Sequence, residues 1–180
     1  MHKVMYNKSQ IIKEDEKHAK LFLEKYNLIV EKYDNTNEEK RPDFRVLNKK
    51  DLVLFAEIKT FFSDTNESLL HNTIYNKFSE RINDAYKQFN SVNSLRMVPN
   101  VLFLFSQDFR VDWNKFQSFL NGYYNYGSGF LNLKKFRDGR NIKSLHYIDL
   151  YIWLYNDSMK LFYINNYERF TQKLFSIFGK

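Results

Sequence analysis

Residues 41–60, RPDFRVLNKKDLVLFAEIKT, constrain what this chain can fold into more than any other stretch. Pro42 disfavours helix at Arg41, so an extended segment restarts at Asp43 and runs through Phe44, Val46 and Leu47. The polar turn NKKD then sends the chain back through Leu52 to Lys59, an apolar run that becomes charged only at its end. Two strands joined by so short a turn read as a hairpin. A strand as apolar as LVLFAEIK belongs in a sheet covered on both faces.

The rest of the chain supplies the cover. From about Lys13 to Tyr26, Ala19, Phe22, Leu23 and Tyr26 recur at helical spacing beneath charged neighbours, which predicts an amphipathic helix. Leu28, Ile29 and Val30 read as a short strand, and DNTNEEKRP as a polar connection. Ser68 to Phe89 places Leu70, Ile74, Phe78, Ile82, Ala85 and Phe89 near one face, predicting the longest helix. After Pro99 the run VLFLFS predicts a buried strand, and Trp113, Phe116, Phe119 and Leu120 predict another amphipathic helix. The Gly- and Tyr-rich NGYYNYGSGF and the basic LKKFRDGRNIK precede two strand-like runs, YIDLYIWLY and KLFYI, joined by the turn NDSM. A closing helix carries Tyr167, Phe170, Leu174 and Phe178. The order α-β-β-β-α-β-α-β-β-α predicts an α/β fold, a mixed central sheet flanked by helices, in one domain over residues 1–180 without repeats or linkers.

Composition narrows the function classes. A chain of 180 residues with 43% hydrophobic content can bury a core without cross-links. Its zero cysteines exclude disulfide scaffolds, thiolate zinc sites and thiol nucleophiles, and suit an intracellular, cytoplasmic setting. The start, MHKVMYNKSQII, soon meets the charged KEDEK and lacks the form of a signal peptide. VLFLF and YIDLYIWLY are too short to span a bilayer as helices, so a soluble protein with no membrane partner is expected. A net charge of +7 suits a polyanion such as nucleic acid, although an AT-rich genome would write a similar Lys-, Asn- and Ile-rich profile whatever the function.

Chemistry concentrates in the hairpin. Along a strand successive side chains face opposite sides, so Glu57 and Lys59 share one face while Ile58 points into the other layer. The return through NKKD can bring Asp43 beside them. Two carboxylates held together repel each other until a hard divalent cation sits between their oxygens, and Mg²⁺ needs few protein ligands because it keeps waters and accepts substrate phosphate. The backbone carbonyl of Ile58 offers a further ligand. Lys59 then stands near water and the scissile phosphate, where an ammonium stabilises developing charge or a neutral amine takes a proton.

These residues resemble the PD-(D/E)XK nuclease superfamily, whose motif reads here as Pro42-Asp43 followed, a hairpin later, by Glu57-Ile58-Lys59. The resemblance covers the first hundred or so residues and implies a restriction endonuclease-like α-β-β-β-α-β core, with the later helix and hairpin as peripheral additions. It implies a metal-dependent phosphodiesterase, an endonuclease acting on DNA in preference to RNA, with Mg²⁺ as cofactor and Mn²⁺ as its substitute. Asp43, Glu57 and Ile58 are the implied metal ligands, and Asp43, Glu57 and Lys59 the catalytic centre. An acidic residue on the first helix often supports such sites; Glu16 fits, on one stripe with Ala19 and Leu23, with Glu14 and Asp15 as alternatives. A Gln or Lys on the helix after the catalytic strand is also common, and INDAYKQF offers Gln88 and Lys87. A different class of function is a binding module that keeps the fold and has lost turnover; the intact Asp, Glu and Lys set argues against it.

Other features carry less. His2, His18, His71 and His146 show no metal-ligand spacing, and Gly127-Ser128-Gly129 matches neither a P-loop nor a nucleophile elbow. Tyr123, Tyr124 and Tyr126 with Lys134, Lys135, Arg137 and Arg140 offer stacking and phosphate contacts, against the blander reading of an aromatic edge beside solvated charge. The closing helix either covers the core or forms a homodimer seam.

Overall fold

Helix α1 (Lys8–Glu24) starts at a capping box in which the Asn7 side chain accepts from the backbone and Gln10 accepts from the Asn7 N–H at 3.2 Å. Its start lies a turn before the apolar spacing begins, because capping rather than hydrophobicity fixes it. The structure is a computed structural model that describes residues 7–33, 40–63, 71–125, 130–133, 140–155, 158–164 and 168–179. Tyr126, Gly127, Ser128, Gly129, Lys134, Lys135 and Arg137 lie outside the described residues, as does the start of the predicted helix at Ser68.

After α1 come β1 (Ile29–Lys32), β2 (Phe44–Asn48) and β3 (Asp51–Phe61), then α2 (His71–Val92) and β4 (Asn100–Ser106). There follow α3 (Trp113–Asn121), β5 (Tyr123–Asn125), β6 (Phe130–Asn132), α4 (Arg140–Tyr147), β7 (Leu150–Tyr155), β8 (Ser158–Ile164) and α5 (Glu168–Phe178). Six strands form one mixed sheet in the order β1-β2-β3-β4-β7-β8, and β5 and β6 pair separately. β3, β4 and β7 run parallel at its centre, with antiparallel β2 and β1 on one side and β8 on the other.

Alternation along the central strands sorts two cores. Phe55, Phe61, Leu102, Leu104, Tyr151 and Trp153 pack with α2, α3 and α4, while Ala56, Ile58, Val101, Phe103, Phe105, Leu150 and Ile152 pack with α1 and α5. The result is an α/β fold with helices on both faces of a mixed sheet, as the element order predicts. No helix among the described residues is long and apolar enough to cross a membrane.

Two expectations are corrected. The segment after β4 is not peripheral, because β7 is an inner strand, buried over Leu150–Leu154 and hydrogen-bonded on both edges. Nor is Tyr147 in a strand: it ends α4, a helix that starts within the basic segment and runs past it, and β7 begins only at Leu150. A buried polar belt at the foot of the sheet explains that start. Asn100 receives its backbone bond from Asp149 N–H at 2.9 Å and gives its own N–H to the Asp149 carboxylate at 2.9 Å. The Asn100 amide donates to Tyr147 O at 2.9 Å, Asn93 donates to Asn100 Oδ1 at 2.8 Å, and Arg96 pairs with Asp149.

Candidate functional site

The hairpin of β2 and β3 turns through Lys49 and Lys50, with Asn48 opposite Asp51 and Lys49 in the left-handed region at φ 56°. Its register puts Phe44 opposite Ala56, which leaves Asp43, just before β2, level with Glu57. Asp43 is then bonded to β3 through both its backbone and its side chain. The Asp43 N–H donates to Glu57 Oε2 at 3.0 Å, and the Ile58 N–H donates to Asp43 Oδ2 at 2.8 Å. Glu57 and Lys59, two apart on one face, meet directly, with Lys59 Nζ donating to Glu57 Oε1 at 2.6 Å.

Helix α2 supplies the fourth member. Lys59 Nζ donates also to Gln88 Oε1 at 2.7 Å, and Gln88 Nε2 donates to the Arg41 carbonyl at 3.1 Å. Gln88 therefore ties Lys59 to the chain entering Asp43. Lys87, the alternative, points away: it is 62% exposed and pairs with Asp84 at 3.6 Å.

The electrostatics follow from burial. Only 1% of Glu57 is exposed, and loss of solvent, then the neighbouring Asp43 charge, push its carboxyl up to about 8 despite the Lys59 ammonium. Burial also raises Asp43, opposed by the Ile58 N–H and Lys59, while the charge of Glu16 raises it further. Glu16 is thus within electrostatic reach of Asp43, and on its other side it pairs with Lys32 of β1. The other first-helix acids lie elsewhere. Asp15 is buried and accepts from Thr60 Oγ1 at 2.6 Å on the α1 side of the sheet. Glu14 and Asp15 both line a cavity of about 440 Å³ there, with His18, Phe105 and Tyr155.

Asp43, Glu57, Lys59 and Gln88 are therefore one connected cluster, with Glu16 at its margin. Among the described residues no group of three or more His, Asp or Glu side chains stands ready to hold a metal ion, so a cation here would rest on the two carboxylates, backbone oxygen and solvent. Sequence reasoning missed Lys32 and the Arg41 carbonyl. Neither carries a local signal, since one is a strand lysine among many and the other a backbone atom. Comparison with family models, curated proteins and solved structures gives no match.

Proposed function

We propose that this chain is a divalent-metal-dependent nuclease of the PD-(D/E)XK type that hydrolyses phosphodiester bonds, in DNA by preference. The observation that carries the reading is the half-buried Asp43 bonded to the buried Glu57, with Lys59 against it. The order α1-β1-β2-β3-α2-β4 agrees with the α-β-β-β-α-β core of that superfamily.

The donor set fits a hard cation. Two carboxylates share one largely enclosed site with a single ammonium, and both carboxyls are raised, so the site is short of positive charge when both ionise. Asp43, Glu57 and the Ile58 carbonyl would hold Mg²⁺ or Mn²⁺, which when bound supplies Lewis-acid polarisation of a phosphodiester oxygen and acidifies water. Lys59 places a positive charge where a phosphoryl transition state accumulates negative charge. Gln88 fixes the lysine by accepting from it, with its own NH₂ group anchored on Arg41 O. Glu16 adds negative charge beside Asp43 and so favours cation binding.

Incubation of circular, linear, single-stranded and branched DNA, and of RNA, with and without Mg²⁺ tests the activity. Cleavage is expected with Mg²⁺ and not with EDTA. Calorimetric titration of divalent metal separates this reading from a binding module without turnover, which predicts no metal site dependent on Asp43 and Glu57.

A further inference from the structure

Helix α2 passes Gln88 against Lys59 and continues toward its own start beside the end of β3, where a second cavity of about 310 Å³ opens. Among the described residues Lys8, Lys77 and Arg81 line it together with Glu80, Phe62 and Asn76, and the Asp108 carboxylate, itself paired with Arg110, lies within electrostatic reach of Lys77. Positions 77, 81 and 88 stand four and seven residues apart, so they form one stripe along a flank of α2. Lys77 and Arg81 are half-buried rather than extended into solvent. Lys77 Nζ lies 3.5 Å from the Phe62 carbonyl, and Lys8 Nζ sits 5.4 Å from the centre of the Phe62 ring. Long cationic side chains usually keep their heads in water, so Lys77 and Arg81 drawn inward around a small cavity, with the exposed Lys8 at its rim, form a positively charged recess.

The recess is close to the cluster. Phe61 follows Lys59 by two residues, roughly 7 Å along a strand, and Arg81 precedes Gln88 by seven, roughly 10 Å along a helix. That is the reach from one phosphate to the next one or two along a nucleic acid strand. We infer that Lys8, Lys77 and Arg81 form a subsite for a backbone phosphate flanking the scissile one, so that the strand runs along the α2 flank from Lys59 to the recess. The inference takes its substrate from the nuclease reading, while its contacts are independent of metal and turnover.

Binding of a fluorescent DNA duplex, measured in EDTA across a salt series, tests it. Each neutralised phosphate contributes about 0.9 to the slope of log K against log salt, so Lys77→Gln with Arg81→Gln, which together disarm one phosphate site, should reduce the slope by about 0.9. Equivalently, the affinity lost between 50 and 200 mM salt should shrink by a factor of about 3.5. Arg81→Gln alone should remove about half of that change in slope, and Lys77→Arg with Arg81→Lys should retain the wild-type slope. Lys87→Gln, off the stripe, should leave the slope nearly unchanged. An unchanged slope in a folded double variant, an equal fall with Lys87→Gln, or no duplex binding by the wild type overturns the subsite. If the slope falls as expected but the wild type cleaves nothing with Mg²⁺, the subsite stands and the nuclease reading fails.

Discussion

Replacing Glu57 with Gln preserves volume and removes a buried negative charge, so it isolates what that charge costs the fold. The carboxyl lies at about 8 in the folded protein against an ordinary 4.5. Between those values the folded protein binds more protons than the unfolded chain, so this group's contribution to stability is complete below about 4.5 and is lost as pH rises toward 8. At 1.36 kcal/mol per pH unit, moving from about pH 5 to about pH 8.5 removes on the order of 4 kcal/mol. Gln carries its own penalty. Its single carbonyl can accept from Lys59 Nζ or from the Asp43 N–H, not from both, a loss of roughly 1–3 kcal/mol. That loss is similar at both pH values and cancels when the two proteins are compared across pH. Urea denaturation in EDTA should therefore show Glu57→Gln losing less stability than wild type on going to the higher pH. Mg²⁺ at about a hundred times its Kd should then stabilise the wild type by about 2.7 kcal/mol, and the variant by much less. Superimposable pH profiles for the two proteins would refute a penalised carboxylate at position 57.

Further outcomes are expected elsewhere. Lys59→Ala should lower cleavage on the order of 10²- to 10³-fold at saturating Mg²⁺ while leaving metal binding measurable by calorimetry; wild-type rates would remove the lysine from the mechanism. Asp43→Asn can still accept the Ile58 N–H and should fold, with weakened metal binding in the same titration and cleavage lost; a well-folded variant that cleaves normally would exclude Asp43 as an essential ligand. Asp108, held below the ordinary carboxylate range by its hydrogen bonds to Arg110, contributes stability above the ordinary carboxylate pKa that is lost as pH falls through its lower folded value. Asp108→Asn should flatten the acid limb of the Tm profile. Lys49→Gly should relieve a left-handed backbone worth about 1 kcal/mol and raise Tm by about 2–4 °C.

The readable part of the molecule was the part governed by local pattern. Asp43, Glu57 and Lys59 meet because a two-residue turn and a period of two leave the hairpin little choice, and Gln88 rather than Lys87 faces them because helix phase selects it. Glu16 follows from the same phase. Helix α4 and the pair β5–β6 were not legible. Arg140–Tyr147 is rich in polar residues, and its buried side chains Ser144, Leu145 and Tyr147 pack in a core assembled from distant segments. The inner position of β7 also depended on tertiary context, since YIDLYIWLY is equally apolar as a peripheral strand or a central one. Its ladder with β4 is set by Asn100 and Asp149, 49 residues apart.

That polar belt also decides which half of the sheet breathes. Asn93, Asn100, Tyr147 and Asp149 close the foot of β4 and β7 with buried hydrogen bonds, so opening there exposes unsatisfied groups in both strands and belongs with global unfolding. The hairpin of β1 and β2 lies at the sheet's edge and can fray at smaller cost. Glu57, opposite Leu102 and two residues above the belt's level at Asn100, is anchored to the rigid half, whereas Asp43 enters from the fraying half. The two carboxylates thus straddle a boundary in local stability, so local opening at the edge of the sheet separates Asp43 from Glu57 before the inner strands give way.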